Sequence, residues 1–121
     1  MILADTSVWV EHFRRGLPSF AKALRNGGIS IHSVVIGELA CGNLAQRAET
    51  LAALRAIPRA ASGTADECLE FLKIHNLHGR GIGWNDVQLL AGAILSSHMF
   101  WTLDKRLKRV AADLGVAHQH G

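Results

Sequence analysis

Four acidic residues of this chain occupy positions that a globular protein usually gives to other residue types. Asp5 and Asp104 each follow a short apolar run, as residues at the end of a buried strand do. Glu38 and Asp86 each continue the apolar stripe of a helical pattern, where an unpaired charge is costly. If the four carboxylates converge, like charges at about 4 Å repel by about 4 kcal/mol per pair at an effective dielectric near 20, so a cation must balance them.

Each acid also has a simpler explanation when it is taken alone. Asp is a favoured N-cap residue, which accounts for Asp5 and Asp104, and the helix dipole favours an acid such as Asp86 in a first turn. For Glu38 the simpler explanation is a buried ion pair, because buried acids are usually paired. The basic residues that follow Asp104 are predicted to face solvent, which makes a bound metal the simpler compensator. Oxygen ligands select a hard ion, Mg2+ or Mn2+, over zinc.

Short strands that alternate with helices are predicted to position the acids. Helical periodicity is found at residues 6–15, 19–26, 33–41, 46–56, 64–76, 84–97 and 105–114. Short apolar runs predict strands at 1–4, 29–31, 98–103 and 116–117. This alternation predicts an α/β fold in which a parallel sheet carries helices on both faces. Ligands bind at the carboxyl ends of the strands in such sheets, and Asp5 and Asp104 lie at strand ends of this kind.

Length and composition restrict the class of protein. With 121 residues, of which 49% are hydrophobic and 19% charged, the chain is predicted to be one domain with a buried core. Its net charge of +3 and pI near 9.3 permit an acidic partner such as nucleic acid without identifying one. There is no run of about 18 apolar residues and no secretory signal, so a cytoplasmic protein without a membrane partner is expected. Cys41 and Cys68 are expected to be reduced and buried.

A carboxylate site that holds Mg2+ at the mouth of an α/β sheet suits the hydrolysis of a phosphodiester. In this hypothesis a metal-activated water, deprotonated with help from one carboxylate, attacks phosphorus. Thr6, Ser7 and Thr102 flank the acids at the strand ends and are candidates for orienting ligands or waters. Their hydroxyls are explained equally well by ordinary helix caps and turns.

Further groups of residues have a functional and a structural interpretation. Four basic residues crowd the helix after Asp104 and are candidates for holding RNA phosphates, although a solvated helix face explains them equally well: Lys105, Arg106, Lys108 and Arg109. The glycines within 79–83 predict a flexible loop beside Asp86 rather than a nucleotide-binding motif. His75 and His78 have the spacing of metal ligands on a helix, but they and the pair 118/120 are expected at the surface without zinc. Aromatic residues are candidates for a partner surface, although at helical spacing they more often fill a core, where they are expected: Trp9, Phe13, Phe20 and Trp84.

The four acids stand in four sequence blocks that together resemble those of PIN-domain ribonucleases. The blocks are MILADTS with Asp5, SVVIGELACG with Glu38, GIGWNDVQLLAGA with Asp86 and WTLDKRL with Asp104. They occur in order along nearly the whole chain, and the resemblance ends, as in that family, with AADLGV at residues 111–116. The resemblance is greatest to the VapC toxins of bacterial toxin–antitoxin pairs.

The resemblance implies a three-layer α/β/α PIN-like fold with a short, mostly parallel sheet over residues 1–121. It also implies endonucleolytic cleavage of RNA that depends on Mg2+, which Mn2+ replaces, and either a homodimer or a toxin–antitoxin hetero-oligomer. A cognate, VapB-like antitoxin is expected to fill a groove leading to the acidic site with its C-terminal segment. By matching motif, the acidic quartet of the family corresponds to Asp5, Glu38, Asp86 and Asp104.

One departure from the family pattern concerns the number of metal ions. Many relatives carry another acid two residues after the last Asp, whereas this chain has Arg106, so one ion is the safer expectation. Phosphatases of the haloacid-dehalogenase type and response-regulator receivers are disfavoured, because both need a second acid near Asp5 that this chain lacks. A catalytically silent PIN-like module that docks a protein or RNA partner is the remaining alternative.

Overall fold

A computed structural model describes residues 1–119, which form a short parallel sheet surrounded by helices. The strands lie in the order β2-β1-β3, with β1 at Ile2–Ala4, β2 at Ile29–Ser30 and β3 at Met99–Trp101. The helices of the described chain are α1 (Thr6–Arg15), α2 (Pro18–Arg25), α3 (Ser33–Ala40), α4 (Arg47–Ala56), α5 (Ala65–Ile74), α6 (Trp84–Ser96) and α7 (Lys105–Asp113). The predicted α/β class with a short parallel sheet is confirmed.

Strand β1 is the centre of the sheet and brings the carboxyl ends of the strands together. Leu3 is fully buried and pairs with Ser30 on one side and with Phe100 on the other. The pairing continues past the end of β1, where the Asp5 N–H donates to the Trp101 carbonyl at 2.9 Å. Because all three strands run in the same direction, the residues that follow β1 and β3 leave the sheet at the same edge.

Several element boundaries differ from the sequence-based prediction. The strand predicted at 116–117 is reduced to one isolated bridge between Phe100 and Ala117. Helix α4 begins one residue later than predicted, because Gln46 adopts a left-handed φ of 47° that a helix cannot contain. Helix α5 begins after Thr64, whose hydroxyl caps it by accepting the Glu67 N–H at 3.1 Å, and it ends at Ile74 rather than 76.

Burial confirms part of the predicted core and corrects the rest. Trp9, Phe20 and Cys68 are buried as expected. Phe13 and Trp84 are not core residues, since they are 44% and 43% exposed. Cys41 is also exposed, because it follows the last turn of α3 at the surface.

The surface positions expected for the histidines are only partly found. His75 and His78 are exposed, whereas His118 is half-buried with its ring 4.6 Å from that of Trp101, and His120 lies outside the described residues. None of the helices in residues 1–119 has the length and apolar character needed to cross a membrane.

Candidate active site at the carboxyl edge of the sheet

Asp5 is a buried carboxylate whose two oxygens are both held by hydrogen bonds. It is only 5% exposed and follows β1 directly. Its Oδ1 accepts the Ser7 hydroxyl at 2.5 Å and the Val8 N–H at 3.2 Å, so that Asp5 is the N-cap of α1. Its Oδ2 accepts the Thr102 hydroxyl at 2.5 Å. These contacts fix the orientation of the carboxylate at the edge of the sheet.

Hydroxyl groups connect the turn after β1 with the turn after β3. The Ser7 Oγ accepts the Leu103 N–H at 3.0 Å, and the Thr102 Oγ1 accepts the Asp104 N–H at 3.0 Å. Asp104 then caps α7, because its Oδ1 accepts the Leu107 N–H at 3.0 Å. Since Ser7 and Thr102 also donate to Asp5, these two hydroxyls fix both strand-end acids in one hydrogen-bond network.

Helices α3 and α6 contribute the other two acids. Asp86 is half-buried in the first turn of α6, where its Oδ2 accepts the Gly83 N–H at 3.1 Å. Glu38 accepts the Thr6 hydroxyl at 2.6 Å through Oε1 and lies 3.5 Å from the Asn85 amide through Oε2. Asn85 was not among the predicted site residues. Its position next to Asp86, in a helical first turn, was the only signal for it in the sequence.

Glu38 lies in a more open environment than its position in the sequence pattern predicts. Its helical spacing from apolar residues predicted a buried helix face for Glu38, yet the residue is exposed. The alternative of a buried ion pair is also wrong, because the salt bridges found within residues 1–119 are Arg15–Glu11 and Arg80–Asp113. Glu38 lies on an exposed face of α3, where the Thr6 hydroxyl of α1 and the Asn85 amide of α6 hold it instead.

The electrostatic environment connects all four acids. Burial raises the pKa of Asp5, and the charge of Asp86 adds to this effect, whereas the hydrogen bonds from Ser7 and Thr102 oppose it. Burial likewise raises the pKa of Asp86, and the charges of Asp104 and Glu38 raise it further, against the hydrogen bond from the Gly83 N–H. Asp86 therefore experiences repulsion from each of the other three carboxylates.

Comparison with known proteins identifies the family of this chain. Residues 2–113 match the PIN domain family. The chain belongs to the PIN domain family. A relative, Ribonuclease VapC32 from Mycobacterium tuberculosis, is 40% identical over 118 residues, which is 97% of this chain and 95% of the relative. The resemblance stated from the four sequence blocks is therefore confirmed.

Solved structures of low sequence identity share the fold of this PIN domain. VapBC-1 from nontypeable Haemophilus influenzae matches with a TM-score of 0.70 at 19% identity, over 93% of this chain and 94% of that one. VapBC2 from Rickettsia felis, bound to a DNA fragment from the promoter, matches with a TM-score of 0.66 at 20% identity, over 90% of this chain and 92% of that one. FitAcB from Neisseria gonorrhoeae matches with a TM-score of 0.64 at 19% identity, over 97% of this chain and 95% of that one. At these identities the likeness establishes the fold alone.

The donor atoms of this PIN domain suit a hard divalent cation. PIN-domain ribonucleases are in general metal-dependent. The repulsion between Asp86 and the other three carboxylates is not balanced by any Arg or Lys ion pair in the described chain, and carboxylate oxygens are the ligands that such cations prefer. Even so, no three His, Cys, Asp or Glu side chains within residues 1–119 form a close metal-binding group. The carboxylates are instead engaged by neighbouring hydroxyl and N–H groups.

A groove of about 570 Å3 runs from Glu38 along α1 and the connection between α3 and α4. Its lining includes the exposed apolar residues Val10 and Phe13, together with Arg14 and Leu44. The exposure of Phe13, which the sequence analysis assigned to the core, is explained by this position on the wall of the groove. The PIN domain thus has a groove whose lining combines exposed apolar side chains with one of its acids.

The basic residues after Asp104 are all exposed on α7, as the sequence predicts. The Arg106 side chain packs over Gly81, where an added Cβ would lie 2.8 Å from a guanidinium nitrogen. Gly81 also has a φ of +79°, which favours glycine. Arg80 from the same loop binds Asp113 of α7 at 2.7 Å. The glycine-rich loop, predicted to be flexible, is therefore connected to α7 by two arginine side chains.

Proposed function

We propose that this PIN domain is a metal-dependent endoribonuclease, the toxin of a toxin–antitoxin pair, that hydrolyses RNA phosphodiester bonds. The observation that carries the proposal is the electrostatic environment of Asp86, which is repelled by three other carboxylates without a balancing Arg or Lys in the described chain. Such an arrangement destabilises the protein unless a cation binds it. The relative named Ribonuclease VapC32 supports the choice of RNA as the substrate. We place this activity in the cytoplasm.

Asp5, Glu38, Asp86 and Asp104 are proposed to hold the cation, with Mg2+ as the resident ion and Mn2+ as a substitute. One ion is proposed rather than two, because Arg106 follows Asp104 where a further acid would provide another ligand. When bound, the ion neutralises charge on the phosphate and lowers the pKa of water.

The hydrogen bonds of the acids divide their oxygens into two groups. Both oxygens of Asp5 and of Glu38 are occupied by hydroxyl or N–H donors. The Asp86 Oδ1 and the Asp104 Oδ2 accept no hydrogen bond from the residues that the structure describes. We propose that Asp104, which is exposed, accepts the proton of the attacking water at Oδ2, and that the hydroxyls of Thr6, Ser7 and Thr102 orient the acids.

The basic face of α7 is proposed to bind RNA phosphates beside the acids. Its residues Lys105, Arg106, Lys108 and Arg109 are exposed and begin directly after Asp104. Their positive charge attracts the RNA backbone by an electrostatic interaction that does not depend on sequence.

The apolar groove beside Glu38 is proposed to hold the cognate, VapB-like antitoxin. A segment seated along Val10 and Phe13 would end at an acid and so block access to the site. The same proposal includes either a homodimer or a toxin–antitoxin hetero-oligomer.

Cleavage of a structured RNA by the purified protein, with and without added Mg2+ or Mn2+, tests the proposed function. We expect metal-dependent internal cleavage that Asp5→Asn reduces by at least about 100-fold, because the substitution removes one charge from the metal site. Asp66→Asn is the matched control, since it makes the same change at an exposed acid of α5, a helix that carries none of the four acids. Wild-type protein that binds RNA without cleaving it would favour the silent binding module, and equal activity of both variants would contradict the site assignment.

A further inference from the structure

His32 is a buried residue that the proposed function does not use. It is 2% exposed and lies between β2 and α3. Its Nδ1 accepts the Val34 N–H at 3.0 Å, so the imidazole is the N-cap of α3. The backbone carbonyl of His32 also accepts the N–H groups of Val35 at 3.0 Å and Ile36 at 3.2 Å. One residue therefore engages three N–H groups at the start of the helix that carries Glu38.

Helix α6 packs closely against the same imidazole and against the backbone of Ala61. A Cβ added at Gly92 would lie 2.9 Å from the His32 Cδ2 and 2.7 Å from the Ala61 carbonyl oxygen, closer than such atoms approach in proteins. Glycine is therefore needed at position 92 for α6 to rest against the ring. The Ser96 hydroxyl of α6 also accepts the Ala61 N–H at 2.8 Å, which holds the helix on the same segment.

The protonation state of the ring agrees with this role. Burial lowers the pKa of His32, and the positive charge of Arg59 lowers it further, so the ring is neutral. Because Nδ1 accepts the Val34 N–H, the proton is on Nε2, which faces the Ser62 hydroxyl at 3.4 Å. A neutral ring of this tautomer caps α3 with one edge and contacts Gly92 with the other.

We propose that His32 is a positioning residue that sets the separation of Glu38 and Asp86, by capping α3 and by serving as the surface on which α6 rests. Glu38 lies in the eight-residue helix α3, so a displacement of its first turn moves the acid. Asp86 precedes Gly92 by six residues of α6, about 9 Å along the helix axis, so the contact at Gly92 fixes the position of that acid. The inference rests on the proposed function, because it concerns the cation that the two acids would share.

The test measures Mn2+ affinity, by the electron paramagnetic resonance signal of free Mn2+, in the wild-type protein and four variants. We expect His32→Ala to weaken Mn2+ binding by about tenfold or more, the effect typical of removing a residue that orients a ligand. His32→Asn should recover part of the loss, because Asn is a good N-cap although it leaves space beside Gly92. Gly92→Ala keeps the cap, but its Cβ would clash with the Ala61 carbonyl and with the ring and so force α6 away from both, and it should weaken binding as well.

Thr64→Ala is the matched control. It removes the side-chain cap of α5, a helix that carries none of the four acids. It should therefore lower the melting temperature without changing the Mn2+ affinity. Equal Mn2+ affinity in the wild type and His32→Ala would overturn the proposal, as would an equal loss in His32→Ala and Thr64→Ala.

Metal-free crystal structures separate this inference from the proposed function. If the wild-type protein binds no Mn2+, the proposed metal site is wrong, but the separation of Glu38 and Asp86 can still be compared between the wild type and His32→Asn. We expect the two acids to shift relative to each other in the variant. An unchanged separation would overturn the role of His32 whatever the metal result.

Discussion

Thr102→Val is the most direct test of how the protein controls its central carboxylate. The Thr102 hydroxyl donates to the Asp5 Oδ2 at 2.5 Å and accepts the Asp104 N–H at 3.0 Å. Asp5 and Thr102 are only 5% and 6% exposed, so water does not easily replace the hydrogen bond between them. Valine keeps the shape of the side chain, and the substitution thus removes two hydrogen bonds with little change in packing.

The expected magnitude follows from these two contacts. The hydrogen bond to the charged Asp5 contributes about 1.5–3 kcal/mol, and the hydrogen bond from the N–H of the exposed Asp104 contributes about 0.5–1.5 kcal/mol. We expect the free energy of unfolding to fall by about 2–4 kcal/mol at pH 7, because the two losses concern neighbouring groups and do not add fully. The pKa of Asp5, already raised by burial, should rise further, since the Thr102 hydrogen bond opposes that shift.

The assay is the pH dependence of RNA cleavage in Thr102→Val, with Thr102→Ser as the control that keeps the hydroxyl. If ionised Asp5 is needed, the acid limb of the profile should move to higher pH in the valine variant alone. Cleavage at neutral pH should fall by about 10- to 100-fold, as when a group that orients a metal ligand is lost. Identical acid limbs in the two variants would refute the reasoning, because the hydroxyl would then have no influence on Asp5.

Two further predictions concern the charge of the site and its RNA contacts. Burial and neighbouring acids raise the pKa of Asp86, so the native state binds a proton at this carboxylate more tightly than the unfolded chain does. The stability of the metal-free protein should therefore decrease as the pH rises through the raised pKa. Asp86→Asn should therefore raise the melting temperature of metal-free protein at neutral pH and remove the stabilisation by Mn2+; a lower melting temperature would contradict mutual repulsion. Replacing both Lys108 and Arg109 by Ala should weaken RNA binding and reduce the slope of log affinity against log salt by about 0.7 per lost phosphate contact, measured by filter binding; an unchanged slope would place the RNA elsewhere.

The strand-end acids were predictable because their position depends on local sequence. An apolar run that stops at Asp5 or Asp104 and continues as an amphipathic helix specifies a strand-to-helix turn. In a parallel sheet, such turns leave at the same edge, so the two acids had to be neighbours once the strands were recognised. The observed hydrogen bond from the Asp5 N–H to the Trp101 carbonyl is the physical consequence of that pairing.

The helical acids were less predictable because their environment depends on packing between elements distant in sequence. Periodicity placed Glu38 on a buried face, but it could not show that Thr6 and Asn85 donate hydrogen bonds to this acid at an exposed position. The close contact of Gly92 with His32 was equally hidden, because nothing in the local sequence tells which residue approaches a helical glycine. Such contacts depend on tertiary packing, which outweighs local pattern.

The structure also changes how the alternatives for Asp5 and Asp104 relate to each other. From the sequence, helix capping and metal binding were competing explanations for these two acids. In the structure both residues are N-caps, and both also interact electrostatically with Asp86. A capping contact fixes the direction of a carboxylate without removing its charge, which is what a pre-organised metal ligand requires. For Asp104 one oxygen makes the cap and the other accepts no hydrogen bond within residues 1–119. The caps therefore explain how the acids are held in place, and the uncompensated repulsion at Asp86 explains why a cation would bind among them.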